Sequence, residues 1–578
     1  MRPSLPQHDP LAPARRVELE LARREYVYDY SYEDILYAES VPLRDKSDVA
    51  YWLGLGRFSA EIAVNEAMAT TTEEKVAALR ASLEEKLGAL DAAGWGEFTR
   101  ATRAQSDDTD TSYPVSGVED FDRAYRILRS PLMLELWDRD DVFAWQALAG
   151  ANPTMVRRLA EPLETLALTE ELYQRVVGAH DTLAAAMAEG RLLVADYAVL
   201  EGLTPGVTDD HPKHLWAPIA VYVWQRAAEG REAGLLPVCI QVGQSPGESP
   251  MFTPADGTSW KMARLVVRVG DSQVQGLMVH FGLCHLVMEA ITLAMKRQLA
   301  TRHPLRALIT PHVENTLIAN EICRSSLTNP GGIVDRLQAP VLPEAMGLCV
   351  KAVADFRLMA SSPAEDCAAR GVGDVDALPV YPHRDDQLAV WDALEPFVDA
   401  YVRLYYTRDE DVAGDAELQA FVAELGAEEG GRLQGIGDIL TVDRLVALMA
   451  RIVFRASAFH ASINYALYDF SYAGSGPTSA FGRGPRGGAE DDDLAFREML
   501  APWDIAYEVV SIYYTLQLRL NRLGDYGDAF SDPAVAPLVE ALQERLAAVD
   551  ALVDERNTRR LLPYVFSRPE QITASIHV

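Results

Sequence analysis

The segment from 271 to 299, DSQVQGLMVHFGLCHLVMEAITLAMKRQL, limits the possible folds more than any other part of the chain. It is apolar over most of its length, so it predicts a long helix buried in a core. Gln275, His280 and His285 follow one another along it at five-residue intervals. Five residues of an ideal α-helix turn about 500°, which leaves neighbours in this row about 140° apart. A π-type widening brings five residues nearly full circle, so we predict a bulge near Gln275 to His280.

A second segment, FRASAFHASINYALYDF, places His460 and Asn464 four residues apart, on one face of a helix. The residues around them are mostly apolar or small, so both side chains are expected to be buried and to need polar partners. A lone buried histidine is more often a hydrogen-bonded core residue than a metal ligand. A metal site is therefore predicted only if the two segments converge.

Composition excludes several classes of function. The 578 residues include 53 Lys and Arg against 85 Asp and Glu, a formal charge of -32. Such a surface repels phosphate backbones and anionic lipids, so nucleic acid is not an expected partner and stable membrane insertion is not predicted. The five cysteines show no C-x-x-C spacing, which favours buried free thiols in a reducing cytoplasm.

Helical periodicity dominates the chain, and strand-like text is confined to short pieces such as IAVYVW and LLPVCIQV. The predicted fold is mainly α, a large helical domain organised around the long buried helix, with a few short strands. No dinucleotide fingerprint or phosphate-binding glycine loop is present, so a nucleotide cofactor is not indicated.

The run HLVMEAITLAMKRQLATRHPLRALITPH, followed by NPGGIVDRL, is similar to the iron-binding region of the lipoxygenases. The similarity continues in order through HRDDQLAVWDAL, FHASIN and the final ASIHV, and covers roughly residues 120 to 578. It implies a lipoxygenase-like catalytic domain at 120–578. Residues 1–119 would then be a helical part or lid packed on that domain, as in compact bacterial members that lack the amino-terminal β-barrel.

The resemblance also implies one non-haem iron per chain. The family holds it with two histidines five residues apart, a third histidine and usually an asparagine four apart, and the carboxylate of the last residue. His460 and Asn464 match the second pair. Val578 matches the terminal carboxylate, with valine in place of the usual isoleucine.

The first pair of ligands can be assigned in two ways. By spacing alone, His280 and His285 satisfy the five-residue rule. In the register that the flanking text favours, His285 takes the place of a third histidine outside the ligand set. His280 is then the second ligand, and Gln275 stands at the position of the first. An amide binds Fe(II) more weakly than an imidazole, so this register predicts altered metal chemistry.

Three further positions are expected near the substrate pocket. Cys323 falls where the family uses Ala or Gly to direct oxygen to one face of the substrate, and Phe459 stands where a polar residue commonly precedes the histidine. Either is equally well explained as ordinary core. Arg324 matches a family arginine, and would face a carboxylate or cap a neighbouring helix.

The function implied is a lipoxygenase-like iron oxidoreductase acting with O2 on an unsaturated lipid-like or polyketide-like chain in specialised bacterial metabolism. One alternative is a metal-poor isomerase or cyclase with the same fold. Another is a hydrophobic-ligand binder without catalysis. The oligomeric state is not indicated by the sequence.

Overall fold

Helices build most of the protein. The computed structural model describes residues 2–70, 115, 117–209, 211–228, 230–470, 481–485 and 492–578. The α-helices are α1 Ala12–Glu25, α2 Val49–Thr70, α3 Met133–Leu136, α4 Asp140–Ala149, α5 Glu170–Val177, α6 Leu183–Ala188, α7 Gly257–Gln273, α8 Val287–Gln298, α9 Pro304–Ile309, α10 Thr316–Ile322, α11 Ile333–Leu337, α12 Leu342–Asp355, α13 Pro363–Ala369, α14 Pro382–Arg403, α15 Asp409–Ala413, α16 Ala416–Gly426, α17 Val442–Phe454, α18 His460–Asn464, α19 Leu467–Phe470, α20 Asp492–Met499, α21 Trp503–Thr515 and α22 Ala536–Asn557.

Short strands form three small antiparallel sheets in the described part of the chain. They are β1 Tyr28–Asp29, β2 Tyr37–Ala38, β3 Arg157–Arg158, β4 Leu192–Asp196, β5 Val207–Thr208, β6 His211–Pro212, β7 Ile219–Gln225, β8 Gly234–Gln241 and β9 Met251–Phe252. Five of them pair antiparallel in the order β3-β4-β7-β8-β9. The segments that the sequence predicted as strands are β7 and β8, and the mainly α prediction is confirmed.

A central helix runs without a break from Gly257 to Gln298, where α7 and α8 flank a π-helical stretch, Val274–Leu286. The predicted long, bulged, buried helix is confirmed. The widening is longer than expected, because it reaches beyond His280 and includes His285. Every turn of this stretch is wide, so residues five apart come back to nearly the same face.

A second wide stretch, Arg455–Phe459, joins α17 to α18 in one continuous helix. It lies immediately before His460, the first residue of α18. Among the described residues, two helices are long and apolar enough to cross a membrane by length and composition alone, Pro254–Gln298 and Val442–Phe470. In each, 89% of the most apolar window is buried inside the protein, so these are core helices.

The amino-terminal residues pack against the core. Arg15 of α1 is buried and pairs with Glu417 of α16, with 2.7 Å between Nε and Oε1. The Ala38 amide of β2 donates to Oε1 of Glu289 on the central helix at 2.8 Å. Residues 71–114 of the expected 1–119 unit lie outside the described part of the chain, and its boundary near 120 stays a prediction.

Asp386 joins α14 to the end of α22, from which the chain continues to its last residue. Its fully buried carboxylate accepts from Nη1 of Arg556 at 2.8 Å. It also accepts from both terminal nitrogens of Arg560, at 2.7 and 2.8 Å. One carboxylate thus satisfies two arginines and holds the carboxyl-terminal helix in place.

Replacing Asp386 with Asn should lower the free energy of unfolding by about 3 kcal/mol, because it leaves two guanidinium groups without their buried counter-charge. The measurement is chemical denaturation followed by circular dichroism. Asp399→Asn is the matched control, since Asp399 pairs with Arg403 at the surface of the same helix. It should change the free energy by less than about 0.5 kcal/mol. Equal losses in the two variants would contradict this role for Asp386.

Candidate metal centre

Three buried histidines meet between the two wide helices. Nε2 of His280 lies 3.2 Å from Nε2 of His460 and 3.3 Å from Nε2 of His285. The ligand nitrogens of all three lie within 4.8 Å of one another. His280 and His285 belong to the π-helical stretch Val274–Leu286, whose wide turns bring both rings to the same side despite the five-residue spacing.

Burial keeps these imidazoles uncharged. It lowers the pKa of His280 and of His460 well below the ordinary value, and the neighbouring histidines lower each further. Burial also lowers the pKa of His285 to about 4, while Asn320 and the nearby Val578 main chain act in the opposite direction. Neutral imidazole is the form that binds a metal.

Hydrogen bonding alone does not explain why these rings converge. Nδ1 of His285 lies 2.7 Å from Oδ1 of Asn320, which only accepts, so the proton of this ring resides on Nδ1. In the neutral ring, Nε2 then carries the lone pair, and it lies 3.3 Å from Nε2 of His280. Nδ1 of His460 is buried and has no hydrogen-bond partner among the described residues. Three clustered imidazoles with unshared lone pairs are a donor set suited to a divalent transition metal.

Asn320 and Glu289 hold His285 in this orientation. The Asn320 amide nitrogen donates to Oε2 of Glu289 at 2.8 Å and to the main-chain oxygen of His285 at 3.2 Å. Burial raises the pKa of the Glu289 carboxyl to about 8. The sequence analysis missed both residues, because an Asn or Glu in an apolar helix does not by itself indicate which side chain it supports.

The second helix supplies a further oxygen. The side-chain nitrogen of Asn464 donates to the Leu516 carbonyl at 2.8 Å. Its Oδ1 is buried without a partner among the described residues, although a buried amide oxygen ordinarily has one. The main chain of Val578 is close enough to His285 and His460 to raise the pKa of each by hydrogen bonding.

The structure differs from the expected register at Gln275 and His285. His285 lies inside the histidine cluster, whereas the register placed it outside the ligand set. The Gln275 amide is engaged elsewhere, since its Nε2 donates to the Ile463 carbonyl at 3.2 Å and ties the two helices together. The physical reason is that the helix is still wide at His285, so the wide turn brings His285 to the same side as His280.

The three expected pocket residues have different surroundings. Cys323 is buried at the start of a short π-helical stretch, Cys323–Leu327, and burial raises its thiol pKa to about 12. Arg324 pairs with Asp29 at 2.8 Å, so the carboxylate that it faces belongs to the amino-terminal segment. The Phe459 ring is half-buried, with its centroid 4.6 Å from Cζ of Arg455.

The chain is similar to known proteins over most of its length. The lipoxygenase family model matches residues 131–500. Linoleate 9/13-lipoxygenase from Pseudomonas aeruginosa is 33% identical over 643 aligned positions, which cover 100% of this chain and 93% of that protein. Human hydroperoxide isomerase is 29% identical over 464 positions, 78% of this chain and 64% of that protein.

A solved structure supports the fold independently of close sequence similarity. The crystal structure of coral 8R-lipoxygenase superimposes with a TM-score of 0.85 at 22% identity, covering 100% of this chain and 83% of that one. The family match spans more than half of the chain, and the bacterial relative is similar over its whole length. The chain therefore belongs to the lipoxygenase family of non-haem iron oxidoreductases.

Proposed function

We propose that this protein is a dioxygenase of polyunsaturated fatty acids whose iron is held by His280, His285, His460 and the carboxylate of Val578, with Asn464 as a further oxygen ligand. The convergence of three neutral imidazoles carries the proposal. The partnerless Oδ1 of Asn464 supports it, because a metal ion would satisfy that atom. Imidazole nitrogens with carboxylate and amide oxygens suit Fe(II).

When bound, the iron supplies a one-electron redox couple for removing a hydrogen atom from the carbon between two double bonds. The residues around it exclude water and fix the donors. His280, His285 and His460 are each at most 8% exposed, so the cluster is shielded from solvent. Asn320 keeps the proton of His285 on Nδ1 and leaves Nε2 free for the metal.

The substrate class follows from family membership. The Pseudomonas relative is named for linoleate, and we infer that a polyunsaturated chain and O2 are the substrates here. A hydroperoxide is the expected product, since the substrate exchanges a C–H bond for C–OOH with the overall addition of one O2. Relatives named hydroperoxide isomerases make rearrangement of such a product the second candidate activity.

Gln275 and the cysteines bear on the metal chemistry and on the location of the protein. Altered metal chemistry rested on an amide replacing an imidazole, and three imidazoles converge without Gln275. We therefore propose ordinary fatty-acid dioxygenation. A cytoplasmic location remains our inference, supported by five free cysteines that are all buried.

Metal analysis tests the ligand set. The purified protein should contain about one iron per chain. His285→Gln should lower iron affinity by more than the 10–100-fold typical of residues that only orient ligands, whereas Gln275→Ala should leave iron content close to that of the unaltered protein. The readout is elemental analysis after dialysis against graded chelator. Iron retained by His285→Gln and lost from Gln275→Ala would contradict this ligand set and favour the register that places Gln275 at the metal.

Asn320 should affect the iron affinity although it is not one of the proposed ligands. Asn320→Ala removes the acceptor that orients His285, so iron affinity should fall by about 10–100-fold. Asn315→Gly, immediately before α10, is the control, because Asn315 has a φ of 64°, which glycine adopts freely, and contacts Asp48 instead. Competition with a chromogenic chelator measures both variants. Equal affinity in the two would contradict the positioning role.

Product analysis tests the reaction. With a polyunsaturated fatty acid in aerated buffer, the iron-loaded protein should consume O2 and generate conjugated-diene absorbance, and His460→Ala should do neither. If O2 is not consumed but an added fatty-acid hydroperoxide is rearranged, the isomerase is the correct assignment. Failure of both reactions on a panel of polyunsaturated acids would reject the proposed substrate class.

A further inference from the structure

A cavity of about 410 Å³ opens beside the two wide helices. This volume lies in the range of small-molecule sites. Apolar side chains from both helices and from α12 contribute much of its wall, among them Val274, Met278, Val279, Leu283, Phe356 and Phe459. A long apolar molecule would therefore find favourable contacts in it.

Arg455 is an unusual member of this wall. It is 4% exposed, and no carboxylate of the described residues lies within ion-pair distance of it. Its Nη1 donates to the Leu283 carbonyl at 3.1 Å, while its Nε has no hydrogen-bond partner in the described part of the chain. A buried guanidinium is ordinarily paired, because the desolvated charge is costly otherwise.

Two aromatic rings lie next to the guanidinium group of Arg455. The centroids of the Phe356 and Phe459 rings lie 4.3 Å and 4.6 Å from its Cζ. These rings contact the guanidinium group and add cation–π stabilisation. They do not replace an anion, since the preferred partner of the donor edge is a planar oxyanion bound in its plane.

The other charged groups of the cavity are already engaged. Asp366 pairs with Arg370 at 2.5 Å, and Asp355 with Lys351 at 2.7 Å. Arg384 pairs with Asp385 at 2.7 Å. Arg357, at the exposed rim, donates to the carbonyls of Ala354 and Phe356.

His383 and Gln387 are the buried polar neighbours of the cavity. Burial lowers the pKa of His383 to about 3, so its ring is neutral. Its Nδ1 and the Gln387 Oε1 have no hydrogen-bond partner in the described part of the chain. Two arginines that line the cavity are buried, Arg384 and Arg455, and among the described residues only Arg384 has a carboxylate partner. Arg455 also lacks an acceptor for its Nε.

We propose that this cavity binds the carboxylate of a long-chain carboxylic acid on Arg455, with the hydrocarbon chain along the apolar wall. The guanidinium supplies the charge and the donors that a carboxylate needs, and the wall supplies the apolar surface. The site uses no atom of the histidine cluster. It is therefore a ligand site in its own right, and its occupancy does not require turnover.

Titration calorimetry with dodecanoate and dodecanol tests the proposal on the full-length, iron-loaded protein. Both probes are saturated, so neither is a dioxygenase substrate. Dodecanoate should bind more tightly than dodecanol. Arg455→Met should lower the dodecanoate affinity by about tenfold or more, because it removes a charge-assisted interaction, and should leave dodecanol affinity nearly unchanged.

Arg357→Met is the matched control, since it removes one arginine from the rim of the same cavity and should not change the preference for the acid. Arg455→Lys should give an intermediate preference for dodecanoate over dodecanol, because it keeps the charge but loses the planar donor edge. If the melting temperature shows that Arg455→Met does not fold, Arg455→Lys replaces it in the test. Equal affinity of the unaltered protein and the Arg455 variants for dodecanoate overturns the proposal. Loss of fatty-acid oxidation without a change in this binding concerns the proposed function alone.

Discussion

Three uncharged imidazoles packed against one another in a desolvated core form the contact around which the rest of this molecule is organised. Burial removes each ring from contact with water. The three neutral rings carry too few N–H donors to replace the lost hydrogen bonds among themselves. The arrangement persists because rigid surroundings hold each ring from outside the cluster. Asn320 fixes His285, and the two wide helices fix the backbone positions of His280 and His460. A bound cation would turn this unfavourable packing into a coordinated site.

The sequence predicted only part of the widening of the central helix. Five-residue spacing indicated that the central helix departs from α geometry, and the structure confirms a π-helical stretch. The sequence did not show where the widening ends, since backbone dihedrals at Leu286 depend on tertiary packing rather than on local propensity. That boundary decides whether His285 faces the cluster. The flanking text placed His285 outside the cluster, whereas its five-residue spacing from His280 agrees with the observed convergence.

The long-range partners of the functional side chains could not be predicted from the sequence for a related reason. His460 and Asn464 could be paired from their four-residue spacing, because one helix face is a local property. Asn320 is 35 residues from His285 along the chain and meets it only through the fold. Arg324 could be expected to face an acid, but its partner, Asp29, is 295 residues away. The sequence therefore predicts which residues share one face of a helix, but it does not predict which distant residues contact each other.

The histidine cluster also has a consequence for the order of events during folding. His280 and His460 are 180 residues apart in sequence and touch in the folded protein. Closing a loop of that length costs entropy that is recovered only when the intervening helices have packed. A partly folded chain therefore offers a metal ion isolated imidazoles rather than a chelating set. With the proposed ligand set, high-affinity metal binding would follow the packing of these helices, and the ion would stabilise a completed core rather than direct its formation.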